Sequence, residues 1–381
     1  MQSHINRKQK DRLIEFINSD VYKVALVYGA RRLGKTTLVE KYLADNKLEH
    51  LFIHGDMAES QEILSSQSGA KLKSLIGKHK LVFLDEAQRI ENIGFSLKIL
   101  VDTVPDLKII ATGSSSLDLG KKIGEPLGGR ATTIKLYPIA QEELVDIESS
   151  IETQANLEDR LIYGSYPVVI TNPDKNFREQ YLLETIDSYL LKDILEFDGI
   201  RNSNKIKQLL TLIAFQIGKE VSLTELGSNL GINKDTVAKY LDLLEKAFVI
   251  YSRQGFSRNL RSEITRNYHY YFYDNGIRNA LIRNFNGLNL RDDLGMLWEN
   301  YITTERLKHN DYSDQILPNS YFWRTYEQQE IDLIEESSGE LAGYEIKYKQ
   351  TKEKSPPQWR NNYPEASFKL INKENYLEFI T

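Results

Sequence analysis

The stretch Gly29-Ala30-Arg31-Arg32-Leu33-Gly34-Lys35-Thr36-Thr37 decides the fold of this chain. It matches G-x-x-x-x-G-K-[ST], the template of a loop whose backbone N–H groups surround a phosphate. The apolar run at 21–28 predicts a buried strand before the loop, and the spacing at 37–43 predicts an amphipathic helix after it. Strand, loop and helix N-terminus together favour anion binding. We expect the whole stretch to hold a nucleotide, with Lys35 on the β- and γ-phosphates and the Thr36 hydroxyl on Mg²⁺.

A second segment, at 80–88, supports this interpretation. Four apolar residues of a predicted buried strand are followed there by Asp85 and Glu86. This is the form of a Walker B segment, in which Asp85 holds magnesium through its water shell and Glu86 orients or deprotonates the attacking water. The two segments together predict ATP binding and hydrolysis with ATP and Mg²⁺ as cofactors.

Two further polar groups lie next to later apolar runs. The strand predicted at 107–112 ends in a hydroxyl-rich stretch, where Ser114 is expected to sense the γ-phosphate and Thr112 is the alternative. A turn that caps the next helix would explain the same hydroxyls. Arg130 precedes the apolar run at 133–137 and is expected to neutralise charge in phosphoryl transfer, although arginines also cap and bridge. The sequence leaves open whether Arg130 acts in its own subunit or in a neighbour's within a homo-oligomer.

The alternation of strands and helices through residues 1–140 predicts a parallel, doubly wound α/β sheet. The whole chain, at 381 residues, is long enough for two or three domains. It has no cysteine, which excludes disulfides and zinc–thiolate sites. No apolar run approaches the ~18 residues of a membrane span, and the N-terminal residues lack a signal-peptide pattern. We therefore expect a cytoplasmic protein with no membrane partner.

Helical periods dominate from residue 141 to about 204, where we expect a helical lid. One apolar stripe marks this region: Leu182, Leu183, Ile186, Leu190, Leu191 and Ile194. The segment 205–285 then contains a helix-turn-helix pattern and two strand-like runs, as in a winged helix. The exposed face of its second helix mixes charges, whereas the wing is basic, with Arg253, Arg258, Arg261 and Arg266. A net charge of −5 gives no general indication of nucleic-acid binding, so DNA contact and protein packing remain alternatives for this module.

The last segment, 286–381, carries Glu299 on a predicted helix and Asp332, Glu345 and Lys347 on predicted strands. An Asp followed later by Glu-x-Lys is the arrangement of metal-dependent nucleases, in which carboxylates hold the metal and the lysine stabilises charge. Glu299, Asp332 and Glu345 are thus the candidate metal ligands and Lys347 the candidate catalytic residue. A half-exposed strand that alternates charged and apolar residues explains the same pattern.

With these motifs in order, the sequence resembles a large prokaryotic family of AAA+-superfamily ATPases that end in a conserved domain of unknown function. The resemblance runs nearly end to end, and further motifs carry it beside those above: Leu136-Tyr137-Pro138, Gly164-Ser165-Tyr166-Pro167, Leu191-Lys192-Asp193, Tyr273-Asp274-Asn275-Gly276 and Leu297-Trp298-Glu299-Asn300. It implies ATP binding and hydrolysis, a winged helix and a C-terminal fold similar to PD-(D/E)XK nucleases. Tyr166 stands where relatives more often have a second glycine.

Two functions from different classes follow. In the first, the ATPase is coupled to a C-terminal half that binds and cuts DNA. The active-site residues of that nuclease would be Glu299, Asp332, Glu345 and Lys347. In the second, it is a regulatory or signalling ATPase whose catalytically silent C-terminal domain binds a protein partner. Nuclease-like folds are also retained as inactive scaffolds, because a fold does not determine a function.

Overall fold

The computed structural model describes residues 5–114, 126–187, 203–258, 268–313 and 316–381. These residues form two compact units. One contains the described residues up to Tyr137 together with Lys246–Phe248, and the other contains Pro138–Glu245 and Val249–Thr381. The predicted stripe residues Leu190, Leu191 and Ile194 lie outside the described residues.

The first unit is an α/β unit around a parallel sheet. Its strands are β1 (Val24–Tyr28), β2 (Leu51–His54), β3 (Leu81–Asp85), β4 (Lys108–Gly113) and β5 (Ala131–Lys135). Its helices are α1 (Gln9–Asn18), α2 (Lys35–Asp45), α3 (Ala58–Ser65), α4 (Gly69–Ile76) and α5 (Ile93–Thr103). In the described residues the sheet has the order β2-β3-β4-β1-β5, and every pairing is parallel.

The central strands of this sheet are apolar on both faces. All five residues of β3 are buried, and Val24 through Val27 of β1 are at most 1% exposed. Such runs are typical of parallel strands covered by helices on both sides, and the predicted parallel α/β sheet is confirmed. Because β4 lies between β1 and β3, the carboxyl ends of these three strands are neighbours. The phosphate-loop sequence, Asp85 and Thr112 therefore meet at one edge.

The second unit combines helices with a mixed sheet. Its helices are α6 (Ser150–Tyr163), α7 (Pro167–Thr171), α8 (Lys175–Thr185), α9 (Ser203–Phe215), α10 (Leu223–Leu230), α11 (Lys234–Lys246), α12 (Asn275–Leu281), α13 (Leu294–Tyr312), α14 (Pro357–Asn362) and α15 (Tyr376–Ile380). Its strands are β6 (Glu220–Val221), β7 (Ile250–Gly255), β8 (Tyr268–Phe272), β9 (Asn319–Arg324), β10 (Glu330–Ser337), β11 (Glu340–Ile346) and β12 (Ser367–Ile371).

This second sheet is continuous across two predicted domains. Its order is β12-β11-β10-β9-β7-β8-β6. The join is a parallel pairing of β7 with β9, extended by the Phe256 N–H, which donates to the Phe322 carbonyl at 2.7 Å. The predicted segments 205–285 and 286–381 therefore contribute strands to one sheet. The boundaries at 140/141, 204/205 and 285/286 remain predictions. Among the helices described, none is both long and apolar enough to cross a bilayer.

Candidate functional site

The glycine-rich loop joins β1 to α2 in a conformation that its glycines permit. Gly34 caps the N-terminus of α2 with φ 85° and ψ 31°, a left-handed conformation that favours glycine. A side chain on Gly29 would place its Cβ 2.1 Å from the Leu136 carbonyl oxygen. The buried Lys35 ammonium donates to the carbonyls of Gly29 (3.1 Å) and Ala30 (2.9 Å). The lysine thus spans the loop, where phosphate oxygens can replace the two carbonyls.

A buried carboxylate faces the start of α2. Asp85, at the end of β3, is 6% exposed. The Thr36 hydroxyl donates to its two oxygens at 3.0 and 3.1 Å, and the Thr112 hydroxyl from β4 also donates to it. A hydroxyl and a carboxylate are oxygen ligands of the kind that Mg²⁺ prefers. The residues present therefore fit a magnesium site formed by Thr36 and Asp85, with Thr112 orienting the carboxylate.

The second acid of the pair is held by an amide. Glu86 follows β3 with φ 52°, and its N–H donates to the Thr112 hydroxyl at 3.3 Å. The Gln88 side-chain amide donates to the Glu86 carboxylate and to the Ser114 hydroxyl, the latter at 3.2 Å. Gln88 thus joins the candidate base to the candidate sensor. Sequence reasoning missed Gln88, because the template for this segment specifies only the two acids.

Arg130 lies at the opposite edge of the sheet from the loop. The register of β1 with β5 begins at Val24 and Ala131, and the Arg130 carbonyl accepts from the Val24 N–H at 3.2 Å. Its guanidinium donates to Asp102 at 2.6 Å. The loop follows the other end of β1, about 13–17 Å away at ~3.3 Å per residue. Arg130 therefore lies away from the loop of its own chain, and its expected catalytic role, in its own subunit or in a neighbour's, stays a prediction.

One further residue supports the loop. The buried Arg7, ahead of α1, donates from Nη1 to the Leu33 carbonyl at 2.9 Å and from Nη2 to the Tyr137 carbonyl at 2.5 Å. It therefore ties the loop to the segment after β5. No sequence pattern indicates a role for Arg7, because its partners lie far along the chain and are backbone atoms.

The C-terminal candidates meet on the second sheet. Register between β10 and β11 pairs Leu333 with Tyr344, which makes Asp332 and Glu345 cross-strand neighbours. The Lys347 ammonium lies 2.9 Å from an Asp332 oxygen and 3.0 Å from a Glu345 oxygen. On α13, the Glu299 carboxyl accepts a hydrogen bond from the Tyr271 hydroxyl of β8 at 2.8 Å. Sequence reasoning missed Tyr271, which belongs to a different predicted domain.

Burial and neighbouring charges shift the pKa values of these C-terminal residues. Burial, with the nearby charge of Asp332, raises the pKa of Glu299 to about 8. The same two causes raise the pKa of Glu345. Burial alone would lower the pKa of Lys347, but the charges of Asp332 and Glu345 outweigh it and raise that pKa. At neutral pH the arrangement therefore favours a protonated Glu299 beside a lysine neutralised by two carboxylates.

The predicted three-carboxylate metal set is not assembled. Within the described part of the chain, no three or more His, Asp or Glu side chains stand close enough to hold one metal ion. The physical reason is that the Lys347 ammonium contacts both Asp332 and Glu345, while Glu299 is bound to Tyr271. The grouping of Asp332, Glu345 and Lys347 agrees with the sequence pattern, but their interaction is an ion pair.

The helix-turn-helix segment forms as two helices followed by strands. The Asn233 side chain accepts from the Thr236 N–H at 2.7 Å and so caps α11, and Val237, Tyr240, Leu241 and Leu244 are buried. The predicted basic wing is corrected at one residue, Arg253, which is buried. Arg253 is only 4% exposed, and Arg258 pairs with Glu336 at 2.7 Å. Arg261 and Arg266 lie outside the described residues.

The loop between β1 and α2, the acids after β3 and the hydroxyls of β4 define the core of a P-loop ATPase domain. Comparison with family models agrees: residues 21–145 match an AAA domain. Residues 154–288 match a domain of unknown function, DUF8612, and residues 294–374 match another, DUF4143. The chain thus has a segment that matches the AAA domain and, C-terminal to it, a segment that matches DUF4143, in the order that the sequence resemblance implied.

Relatives occur in bacteria and archaea. An uncharacterized protein of Haemophilus influenzae is 27% identical over 361 residues, which are 88% of this chain and 84% of the relative. An uncharacterized protein of Mycobacterium tuberculosis is 28% identical over 330 residues, 85% of this chain and 70% of the relative. The solved Thermotoga maritima RuvB Holliday junction branch migration motor aligns with 65% of this chain and 89% of its own at 18% identity. The TM-score of that alignment is 0.33.

Proposed function

We propose that the protein hydrolyses ATP with Mg²⁺ at the loop between β1 and α2. The observation that carries the proposal is the direct contact of Thr36 with Asp85, which brings the expected metal ligands of two separate motifs together at 3.0 Å. Chance agreement of one motif with a template would not produce this contact.

Each polar group at this edge has a role in the proposal. The N–H groups of 29–37 and the Lys35 ammonium bind the phosphates. Thr36 and Asp85 hold Mg²⁺, which supplies charge neutralisation at the phosphates when bound. Glu86 accepts the proton of the attacking water, and Gln88 fixes that carboxylate relative to Ser114.

Two variants and a control test the ATPase proposal. Lys35→Ala should abolish nucleotide binding, because it removes the ammonium that contacts the phosphates. Glu86→Gln should keep nucleotide binding and lower turnover by roughly 10²–10⁴-fold, the contribution of a general base. Glu91→Gln changes an exposed carboxylate beyond the same strand and should leave turnover unchanged. Undiminished turnover in Glu86→Gln would refute the role of Glu86.

A DNA-directed C-terminal half is the second part of the proposal. It is supported by the convergence of Asp332, Glu345 and Lys347 within 3.0 Å, with Glu299 near enough for its pKa to respond to Asp332. Cleavage would require Lys347 to leave one carboxylate so that a metal ion can reach it. The alternative is a silent domain that binds a protein partner, and the ion pair of Lys347 favours this alternative as long as it persists.

Incubation with DNA distinguishes a C-terminal nuclease from a catalytically silent domain. Plasmid and single-stranded DNA would be incubated with Mg²⁺ or Mn²⁺, with and without ATP, using wild type, Lys35→Ala, Glu345→Ala and Glu340→Ala. Glu340 is the matched control, an exposed carboxylate on the same strand. Cutting that is lost in Glu345→Ala and kept in Glu340→Ala supports the nuclease, and the Lys35→Ala lanes report whether ATP controls it. No cutting in any lane, with ATP hydrolysis intact, supports the silent domain.

A further inference from the structure

Two buried polar side chains of the β7–β8 pair have nitrogens without partners. Arg253 is 4% exposed, and its Nη1 has no hydrogen-bond partner among the residues that the structure describes. His269 is 1% exposed, and in the same described set neither of its ring nitrogens has a partner. Buried polar groups are nearly always hydrogen-bonded, so each exception requires an explanation.

These groups are neighbours, and a third joins them. Arg253 on β7 lies directly opposite His269 on β8 in the antiparallel register. The His269 ring stacks on Phe322 of β9, with ring centroids 3.6 Å apart. Two residues further along β9, the buried Nε of Arg324 also has no partner within the described residues, although its Nη1 donates to Glu220 at 3.0 Å. We call Arg253, His269 and Arg324 the cationic cluster.

The local charge is positive. Burial is the main cause that lowers the pKa of His269 to about 3, and the charges of Arg253, Arg324 and Lys219 lower it further. His269 is therefore a neutral ring surrounded by cations. The Glu220 carboxylate offsets one charge of the cluster, because it accepts from Arg324, whereas the Glu299 carboxyl accepts from Tyr271.

The cationic cluster adjoins the carboxylate site. The Arg253 guanidinium lies 4.8 Å from the ring centroid of Tyr271, whose hydroxyl holds Glu299. Glu330, opposite Arg324 in the β9–β10 register, is two residues from Asp332. The two sites are thus contiguous along one face of the continuous sheet. A ligand of several linked anionic groups could extend from one to the other.

We propose that the cationic cluster is a binding site for a phosphate group. A guanidinium offers several donors in a planar fork that matches phosphate oxygens, and an imidazole N–H adds one more. A tetrahedral oxyanion has enough acceptors to serve donors on three strands at once. The site is independent of whether Asp332 and Glu345 support cleavage, and it deepens the DNA-directed proposal only if the phosphate belongs to a nucleic acid.

Phosphate binding is measured by isothermal titration of the full chain with inorganic phosphate. Every sample carries Lys35→Ala, which weakens phosphate binding at the ATPase loop. The test variants are Arg253→Met and Arg324→Gln. The matched control is Arg258→Gln, because Arg258 follows β7 closely in the chain and its guanidinium is already paired with Glu336. We expect the test variants to raise Kd at least tenfold and the control to leave it unchanged. Absence of phosphate binding in the Lys35→Ala background, or equal Kd in all variants, would overturn the proposal.

Two further measurements distinguish a binding role from a structural one. If Arg253 is retained for binding, Arg253→Met should leave Tm unchanged or raise it, because a buried cation without a partner is costly. A large fall in Tm for Arg253→Met, with unchanged phosphate binding in Arg324→Gln, would assign the cluster a structural role. A single-stranded oligonucleotide without terminal phosphates identifies the source. If it competes with inorganic phosphate, the site takes a phosphodiester. If it does not, the site takes a free phosphate group.

Discussion

Replacement of Thr112 by valine tests whether two hydroxyls of the site have different roles: Ser114, which the sequence favoured as the γ-phosphate sensor, and Thr112, its alternative. The Thr112 hydroxyl donates to Asp85 and accepts from the Glu86 N–H. Valine has nearly the same shape and removes both bonds. Thr112 is 1% exposed, so water cannot replace the hydroxyl easily.

The expected size of the Thr112→Val effect follows from the hydrogen bond between the Thr112 hydroxyl and the charged Asp85 carboxylate. Such a hydrogen bond contributes about 1.5–3 kcal/mol, and 1.4 kcal/mol is a factor of ten. Mutation of a residue that orients a metal ligand typically lowers metal affinity by about 10–100-fold. We therefore expect Thr112→Val to raise the Mg²⁺ concentration for half-maximal ATP hydrolysis by about 10–100-fold. Ser114→Ala, which acts through Gln88 on Glu86, should instead lower kcat at saturating Mg²⁺ and leave the half-saturating concentration unchanged.

The assay is steady-state ATP hydrolysis over a Mg²⁺ titration at saturating ATP. Thr103→Val is the matched control, since its exposed hydroxyl bonds only the Ile99 carbonyl one turn earlier, at 2.6 Å. If Thr112→Val keeps the wild-type Mg²⁺ dependence, or if Ser114→Ala shifts it instead, the assignment of Thr112 to the metal side is wrong.

Three other changes have defined outcomes. Arg7→Met removes the bond to the Leu33 carbonyl and should weaken ATP binding by about tenfold, the equivalent of one hydrogen bond; calorimetric ATP titration checks this, and equal affinity would contradict it. Gly164→Ala should lower Tm sharply, because its Cβ would lie 2.1 Å from an Asp274 oxygen at a backbone φ of 74°; an unchanged Tm would show that the carboxylate can move away. Burial raises the pKa of Asp274 to about 6 although backbone N–H groups, that of Ser165 first, lower it. Since this folded-state pKa exceeds the unfolded value of 3.8, the contribution to stability is complete below about pH 4 and is lost as pH rises through about 6. About two pKa units correspond to ~3 kcal/mol of unfolding free energy. Urea unfolding of Asp274→Asn should therefore lack a loss of that size that wild type shows between about pH 4 and pH 6. A difference in unfolding free energy between the two proteins that stays constant with pH would refute this.

The sequence by itself determined the elements whose signals are contiguous. The strand before Gly29, the helix from Lys35 and the buried strand ending in Asp85 each depend on a local run of residues. Glycine positions and apolar periodicity reflect backbone sterics and burial, which act over a few residues. For the same reason the helix with Glu299 and the strands of Asp332 and Glu345 could be predicted, together with the grouping of the last two beside Lys347.

Tertiary structure alone decided which of these elements are neighbours. Insertion of β4 between β1 and β3 brought Thr112 to Asp85 and Ser114 to Gln88, and parallel register placed Arg130 at the far edge. Pairing of β7 with β9 merged two predicted domains into one sheet, buried Arg253 and brought Tyr271 to Glu299. Strand order and register arise from contacts between residues far apart in the chain, whose free energy depends on the whole packed arrangement. Local periodicity therefore does not predict strand order or register.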